Sequence, residues 1–449
     1  MTNANRAEVL ASASGSGPHF LPAGEPQHRT MGVNVLGHFR YPSGVGEAAL
    51  ATVRALRSSG VEVACRDVPV EGAADVSGTE KFADDETFDI SILHLQPGPL
   101  FDSSYERAEL KPRADVYRIG VWYWELDTVP EEWLAQSRML DEVWAPTKFI
   151  AEALAKVLPI PVVEMLPGVP RPYVEIASRA YFRLPEDHFT YLYMFDMRST
   201  FERKNPIGLV RAFRRAFEPA EKVTLAIKVS RGEHDPTAMA ELRREAAGAN
   251  VRIIERGMSR GESYGLIAAC DGFASLHRSE GFGLCLAEAM YLGKPVIATG
   301  YSGNLDFMSR DFSLLVDFET VELEKDHLPY RKGMRWADPS ISHAANSMRW
   351  VVDHPAESQA MAERGRAATE RTLSMERAGR AMLERIEAIR RLPKPVGRAP
   401  QPFRFRRPGE PQGRLAAFAT KLGRYVRYYG LRTTIQRALE QLVRFASRR

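Results

Sequence analysis

One stretch near residue 280 limits what this chain can fold into more strongly than any other. An apolar run that ends at Leu276 predicts a short buried strand. Gly281 and Gly283 follow, and the unbroken apolar pattern after them, which stops at Gly293, predicts a helix that ends at a C-terminal glycine. A strand, a tight glycine loop and a helix in this order are typical of an α/β fold.

The same stretch predicts a site for a ligand that carries both phosphate and hydroxyl groups. Loop glycines let the backbone approach a ligand closely, and the first N–H groups of a helix point towards it. Glu280 precedes the predicted helix and Glu288 lies about one turn inside it. Carboxylates accept hydrogen bonds from neighbouring hydroxyls, as a sugar or ribose offers them. The alternative is that the first glutamate only interacts with the helix dipole.

The spacing of the two glutamates resembles a known family signature. Glu280 and Glu288, with Gly-Phe-Gly between them, resemble the E-x7-E motif of the retaining GT-B glycosyltransferases, the family-4-like part of glycosyl transferases group 1. The flanking residues 276–279 and 299–304 are similar to one bacterial branch. The resemblance covers about residues 30–390. It implies an α/β fold of the GT-B type, in which two Rossmann-like domains face each other across a cleft.

The resemblance also implies roles for the residues of this stretch. Glu288 is expected to hold the ribose of a nucleotide donor, and Glu280 is expected to face the donor sugar as a catalytic residue. The backbone amides that follow Glu280 are expected to bind the phosphates. The implied donor-binding residues are Gly281, Phe282, Gly283 and Leu284, together with Ser302, Gly303 and Asn304 of a later loop.

A basic loop follows the buried strand predicted over residues 189–195. Arg198, Arg203 and Lys204 lie between this strand and the next helix. Three cations there suit a diphosphate, although a solvated basic turn has the same composition. The family has an Arg and a Lys five residues apart that contact the β-phosphate. Lys204 matches this Lys, whereas Arg198 lies one residue too far upstream, so Arg203 is expected to take part in catalysis beside Lys204.

A glycine-containing loop also follows the first predicted strand, residues 31–37. Gly44 and Gly46 precede a predicted helix whose apolar residues share one face. Strand, glycine loop and helix is the arrangement of a phosphate-binding loop, although a simple tight turn has the same pattern. The resemblance implies that Gly44, Gly46 and Glu47 contact the donor phosphate or the acceptor.

Three further residues are candidates for the acceptor site. His94 ends a predicted strand, where ligand crevices of open α/β sheets lie, although a satisfied structural histidine fits equally. Trp124 and Glu125 end the most aromatic strand of the chain. Large rings in a strand usually pack a core, but an aromatic face beside a carboxylate also suits a sugar. Relatives often carry a histidine here, which this chain lacks.

Composition is that of an ordinary globular protein. Apolar residues make up 44% and charged residues 26% of the 449 residues. The sequence contains no run of eighteen apolar residues, so no membrane-spanning helix is expected. Cys65, Cys270 and Cys285 are scattered in apolar contexts. We interpret them as reduced core residues of a cytoplasmic protein, without the spacing of a metal site.

Breaks in the pattern divide the chain into segments. A loop leading into a helix is predicted from residues 336–339. The predicted segments are a disordered N-terminus 1–28, an N-terminal Rossmann-like acceptor domain 29–170, a linker 171–187, a C-terminal Rossmann-like nucleotide-sugar domain 188–375, a crossover helix 376–392, a Pro/Arg linker 393–413 and a basic amphipathic helix 414–449.

Charge is distributed unevenly along the chain. The net charge is +4, but residues 390–449 hold sixteen Lys/Arg and two Glu, which gives +14 there and −10 in residues 1–389. A basic helix with aromatics over 414–449 suits an anionic membrane surface, so a peripheral position on the inner face of the cytoplasmic membrane is expected. A dimer helix and a groove-packed helix fit as well. Nucleic acid is not expected, because no recognition module accompanies the charge.

These observations predict a retaining, metal-independent hexosyltransferase of polysaccharide biosynthesis. It would move a sugar from a nucleoside diphosphate, with GDP-mannose suggested by the branch resembled, to a cell-envelope glycan or lipid-linked acceptor. The nucleotide sugar is a substrate and no cofactor is expected. No Asp-x-Asp pair occurs, so Lys204, Arg203 and helix N-termini are expected to neutralise the diphosphate. A sugar-nucleotide epimerase and a non-catalytic sugar-nucleotide-binding partner are the alternatives.

Overall fold

The computed structural model describes most of the chain between residues 31 and 392. The predicted disordered N-terminus, Pro/Arg linker and basic amphipathic helix lie outside the described residues, except for Val426 and Ile435, which are helical. The described residues are 31–41, 43–69, 81–97, 102–110, 113, 115–392, 426 and 435.

A parallel six-stranded sheet forms the first lobe. Its strands are β1 (Gly32–Gly37), β2 (Glu62–Asp67), β3 (Ile90–Leu93), β4 (Tyr117–Val121), β5 (Glu142–Ala145) and β6 (Val162–Glu164). They lie side by side in the order β2-β1-β3-β4-β5-β6. The helices of this lobe are α1 (Gly44–Ser58), α2 (Asp102–Arg107), α3 (Leu134–Ser137) and α4 (Lys148–Ala155).

A second parallel six-stranded sheet forms the second lobe. Its strands are β7 (Phe189–Asp196), β8 (Val223–Ser230), β9 (Val251–Glu255), β10 (Gly272–Ser275), β11 (Val296–Thr299) and β12 (Leu314–Val316), in the order β12-β11-β10-β7-β8-β9. Its helices are α5 (Arg179–Phe182), α6 (Phe201–Lys204), α7 (Pro206–Ala216), α8 (Pro236–Ala246), α9 (Arg260–Ala269), α10 (Leu284–Tyr291), α11 (Ile341–Asp353) and α12 (Pro355–Thr372). The predicted architecture of two α/β lobes is confirmed.

The sequence explains why these segments form parallel strands between helices. Parallel strands are covered by helices on both faces and therefore read as continuous apolar runs, as β7 does. Several helices begin at a side chain that caps their first free N–H groups. Thr147 caps α4, and Ser259 caps α9 in a reciprocal capping box with Glu262. Within the described ranges, no helix combines the length and apolar character that a membrane crossing requires.

An antiparallel hairpin interrupts the α/β alternation of the second lobe. It consists of β13 (Phe318–Glu322) and β14 (Arg335–Pro339), which pair along their whole length. The prediction of a loop at residues 336–339 is therefore wrong. These residues form a strand because their pairing partner lies about seventeen residues upstream, beyond the reach of a local pattern.

The hairpin belongs to the second lobe by sequence but packs on the first. Tyr330 and Trp336 are buried in the same apolar cluster as Trp124 of the first lobe, and the rings of Tyr330 and Trp124 lie 5.4 Å apart. At its edge, Arg335 donates a hydrogen bond to Asp127 at 2.7 Å. The hairpin therefore joins the two lobes on one side of the cleft between them.

The last described helix, α13 (Met375–Arg391), crosses back from the second lobe to the first. Ile386 is fully buried in the first-lobe core. The residue before it, Arg385, forms a bidentate ion pair with Glu142, whose carboxylate is fully buried. Tyr117 and Trp144 donate to the same carboxylate at 3.0 and 2.7 Å. The helix is thus held to the first lobe by both apolar packing and a buried charge.

Removing the guanidinium tests this attachment. Arg385→Ala leaves the buried carboxylate of Glu142 with neutral donors only, so we expect the free energy of unfolding to fall by about 3 kcal/mol. Arg391→Ala removes only a surface pair with Glu387 from the same helix, and we expect a loss of at most about 0.5 kcal/mol. Urea unfolding followed by tryptophan fluorescence measures both values. Equal unfolding midpoints for the two variants would contradict this account.

Candidate functional site

Two loops at the carboxyl edge of the second sheet touch through glycine backbone. Gly283 begins α10 with φ +91°, a left-handed conformation that favours glycine. A Cβ on Gly303 would lie 2.0 Å from the carbonyl oxygen of Gly281, so no other residue fits at 303. The Glu280 amide donates to Ser302 Oγ at 2.8 Å, and the Gly303 amide donates to the Glu280 carbonyl at 2.9 Å. The loop after β11 thereby fixes the loop after β10.

The carboxylate of Glu280 lies between two cations of α6. Its Oε1 accepts a short hydrogen bond from the Lys204 ammonium, and its Oε2 lies 3.3 Å from the Arg203 guanidinium. Burial opposes ionisation of Glu280, but the charges of Lys204 and Arg203 prevail and lower its pKa to about 2. Glu280 is therefore a carboxylate at every physiological pH and forms ion pairs with both cations.

Arg203 is held rigidly by backbone oxygens. Its Nη1 donates to the Ser279 carbonyl at 2.7 Å and its Nη2 to the Ser199 carbonyl at 3.1 Å. Its buried Nε has no hydrogen-bond partner among the described residues. Arg198, the third cation of this loop, turns away from the cluster and donates to the Tyr41 hydroxyl of the first lobe at 2.8 Å. The structure brings Arg203 and Lys204 to Glu280 but not Arg198.

Glu288 lies within α10, in an environment different from that of Glu280. Its carboxylate is buried in α10 and pairs with Arg260, the first residue of α9, which also contacts the Tyr264 hydroxyl at 2.9 Å. Burial raises the pKa of Glu288 to about 7, since desolvation outweighs the attraction of Arg260. Glu47, at the start of α1 in the first lobe, repels the same carboxylate. The start of α1 and the middle of α10 therefore face each other.

Glu125 enters the site from the first lobe. Its Oε2 accepts a hydrogen bond from the Tyr330 hydroxyl at 3.0 Å, and its Oε1 lies 3.8 Å from Arg203 Nη2. Its neighbour Trp124 is buried against Trp133 and Tyr330, and its indole donates to a backbone carbonyl. Glu125 thus faces the cluster of cations, whereas the ring of Trp124 belongs to the core.

Phe282 and Asn304, two other residues expected in the donor site, turn their side chains into the second lobe. The ring of Phe282 is buried against Phe307, with 5.1 Å between centroids. The Asn304 side chain donates to the Thr299 carbonyl and lies 3.3 Å from the His277 ring. Only the backbone groups of Phe282 and Asn304 can therefore contact a ligand. The first amides of α10, including that of Leu284, have no intrahelical partner and point out of the helix.

The first-lobe loop contributes glycine backbone and a buried histidine. A Cβ on Gly46 would lie 2.7 Å from the His38 carbonyl, which requires glycine there, whereas Gly44 has open space around it. His94 is fully buried beside Gly37, and neither ring nitrogen has a hydrogen-bond partner among the described residues. Burial lowers the pKa of His94 to about 3, so its imidazole is neutral.

Sequence reasoning missed several residues of this site. No sequence pattern marks Arg260 as a site residue, because a single arginine at the start of a helix is common. Thr147 Oγ1 donates to the Gly281 carbonyl at 3.0 Å, and the Lys148 amide donates to Asp306 at 2.6 Å. In the sequence, a threonine before a helical pattern indicates only a helix cap. These bonds tie the first lobe to both loops of the second, so the site is formed between the lobes.

The arrangement provides donors for an anion and acceptors for hydroxyl groups. Two cations and the free amides of a helix N-terminus converge on one point, and carboxylates from both lobes surround it. In the ranges that the structure covers, no group of three or more His, Cys, Asp or Glu side chains is placed to hold a metal ion.

Comparisons with known proteins agree with this geometry. The family described as glycosyl transferases group 1 matches residues 182–367. By sequence, none of the curated proteins matches the chain. Among solved structures, sucrose-phosphate synthase from Thermosynechococcus elongatus is 14% identical with a TM-score of 0.60, over 80% of this chain and 99% of that one.

Two further solved structures show the same fold. A glycosyltransferase from Rickettsia africae is 14% identical with a TM-score of 0.59, over 81% of this chain and all of that one. HepE from Anabaena, solved in complex with UDP and glucose, is 13% identical with a TM-score of 0.55, over 80% of this chain and all of that one. Residues 182–367 therefore match the glycosyl transferases group 1 family, and the chain has the GT-B fold.

Proposed function

We propose that the chain is a glycosyltransferase, that it uses a nucleoside diphosphate sugar and that the diphosphate binds between Lys204, Arg203 and the N-terminus of α10. The observation that carries the proposal is the cluster of two cations around one carboxylate, Glu280, beside free helix amides. The two cations suit a phosphate group, and the amides supply hydrogen bonds to it. The structure of HepE with UDP and glucose supports the same class of donor.

The proposed reaction keeps the anomeric configuration of the transferred sugar. The leaving diphosphate gains charge as the glycosidic bond breaks, so cations placed on it stabilise the transition state more than the ground state. Glu280, with a pKa of about 2 and two ion pairs, is too weak a base to activate the acceptor. We infer that an oxygen of the departing phosphate takes the proton of the acceptor hydroxyl, which then attacks the same face of the sugar.

The proposed reaction needs no bound metal. In this site Lys204 and Arg203 provide two permanent positive charges, and Arg203 is fixed by backbone oxygens before the donor arrives. Charges held in place stabilise a developing anion without reorganisation. We therefore assign the neutralisation of the leaving group to these two side chains and to the α10 amides.

A transfer assay tests this proposal. We expect wild-type turnover to continue in excess EDTA, and NMR of the product to show the anomeric configuration of the donor. Lys204→Ala removes a transition-state charge, so we expect kcat to fall about 100-fold or more. Lys222→Ala removes an exposed lysine that pairs with Asp187 and serves as the matched control. Full activity in Lys204→Ala, or an inverted product, would contradict the mechanism.

We also propose that Glu288 holds the ribose of the donor. Its carboxyl group offers a strong acceptor oxygen to each of two ribose hydroxyls only when it is ionised, and its pKa is about 7. Affinity for an intact sugar nucleotide such as GDP-mannose, whose diphosphate diester does not titrate in this range, should therefore rise about tenfold from pH 6 to pH 8. Isothermal titration calorimetry without acceptor measures this change.

Variants separate this carboxylate from other titrating groups. Glu288→Gln should bind the sugar nucleotide weakly at both pH 6 and pH 8, with no rise in affinity between them. Arg260→Met removes the attracting cation, raises the pKa of Glu288 further, and should shift the rise to higher pH. Arg310→Met, which removes an exposed arginine that pairs with Asp317 away from the site, should behave as wild type. A rise in affinity with pH that persists in Glu288→Gln would contradict the assignment of Glu288 to the ribose.

The finer identity of the substrates follows from the sequence. We propose GDP-mannose as the donor, because the bacterial branch resembled favours it, and a hydroxyl of a cell-envelope glycan or lipid-linked oligosaccharide as the acceptor. Glu125 faces the cation cluster from the first lobe, and its carboxylate suits an acceptor hydroxyl. A cytoplasmic protein held at the inner face of the membrane by residues 414–449 would meet such an acceptor.

Membrane association has its own test. The segment from residue 390 onwards carries a net charge of +14, so the full chain should float with vesicles that contain about 30% anionic lipid and should be released by high salt. A chain that ends at Pro393 should remain at the bottom of the gradient. Equal flotation of the two chains would remove the membrane proposal and leave the catalytic assignment untouched.

A further inference from the structure

A turn of the hairpin contacts the helix that carries the two cations of the site. The connection between β13 and β14 includes residues 327–330, which two backbone hydrogen bonds of 2.9 and 3.0 Å between His327 and Tyr330 close into a tight turn. Tyr330 is buried in the first-lobe cluster beside Trp124. The turn is therefore anchored on the first lobe, although it belongs to the second lobe by sequence.

The start of α6 faces this turn. The hydroxyl of Thr200, directly before α6, donates to the Leu328 carbonyl at 3.2 Å. The Glu202 carboxylate lies 3.3 Å from the histidine ring of the turn. The guanidinium carbon of Arg203 lies 6.0 Å from the centre of the Tyr330 ring. Three side chains at the beginning of α6 are thus directed at a segment that packs on the opposite lobe.

Thr200 has an unusual backbone conformation. Its φ of +62° and ψ of +105° lie in a region that a β-branched residue adopts only under strain. Threonine commonly caps a helix, yet this side chain accepts no hydrogen bond from an amide of α6 and donates to Leu328 instead. Strained residues persist only where their surroundings hold them. The bond to the hairpin therefore helps to hold the residue from which α6 starts.

The end of α6 is held by the second lobe itself. The Tyr193 hydroxyl of β7 donates to the Lys204 carbonyl at 2.6 Å. Asn205, which follows with φ +49°, caps α7 and donates to the Leu276 carbonyl at 2.8 Å. The helix is a single turn of four residues, so its orientation depends on both ends. Arg203 and Lys204 occupy its last two positions and follow that orientation.

We propose that Thr200 is a positioning residue: its hydroxyl, bound to the hairpin, fixes the strained start of α6 and keeps Arg203 and Lys204 directed at the diphosphate before the donor binds. This inference rests on the proposed binding of the donor diphosphate at these two cations. Thr200 acts through α6 and does not touch the substrate. Because Leu328 belongs to a turn that packs on the first lobe, the geometry of the cations depends on the packing between the lobes.

Calorimetry with inorganic pyrophosphate tests this role in the full chain. Thr200→Val keeps the shape of threonine but lacks the hydroxyl, so α6 should relax. The binding-competent arrangement then becomes less populated, and the affinity for pyrophosphate should fall about tenfold. Thr200→Ala removes the same hydroxyl and should show the same loss. Thr200→Ser keeps the hydroxyl and should bind within about twofold of wild type.

Thr224→Val is the matched control. Thr224 is buried in β8, and its hydroxyl lies 2.9 Å from His188 Nδ1. This substitution removes a hydroxyl hydrogen bond of the same kind from the core of the same lobe. It should lower the urea concentration at the midpoint of unfolding and leave the affinity for pyrophosphate unchanged.

The outcomes separate this inference from the proposed function. Wild-type affinity in folded Thr200→Val, even with a lower unfolding midpoint, would overturn the inference alone, because the role of the hydroxyl would then be structural only. A loss in Thr200→Ser equal to that in Thr200→Val would also overturn it. If wild type and Lys204→Ala bind pyrophosphate equally, the proposed phosphate site is wrong, and the inference falls with it.

Discussion

A carboxylate held between two cations sets the conditions for the rest of the site. Transfer of Glu280 from water to its buried position costs several kcal/mol, and only close cations offset this cost. Lys204 and Arg203 supply them from α6, while the carboxylate belongs to the loop that starts α10. The ion pairs therefore fix one helix against the other. They place the start of α10 beside two cations.

Two glutamates of the same motif acquire opposite properties from their surroundings. Glu280 is largely buried and has two cations in contact, and its pKa is about 2. Glu288 is fully buried beside Arg260 and is repelled by Glu47, and its pKa is about 7. One carboxylate is permanently charged and the other titrates near neutral pH. The spacing in the sequence brings both into one site, but only the residues around each decide its chemistry.

Local patterns predicted what local interactions determine. The strand, glycine loop and helix near residue 280 were predictable because Gly283 adopts a conformation that glycine favours and because the helix pattern is continuous. The family resemblance linked Lys204 to Glu280, and the structure places them in contact. No local pattern could reveal Tyr330 or Arg260, whose partners lie about 205 and 28 residues away along the chain.

The hairpin of β13 and β14 has a consequence for how enzymes of this shape can be recombined. Its aromatic side chains complete the interior of the opposite lobe, and Tyr330 supplies the hydroxyl that orients Glu125. A chimera that joins this first lobe to the second lobe of another GT-B protein would lose these groups and expose Trp124. Exchange of second lobes between proteins of this fold would therefore require the hairpin to be kept with the first lobe, on which it packs.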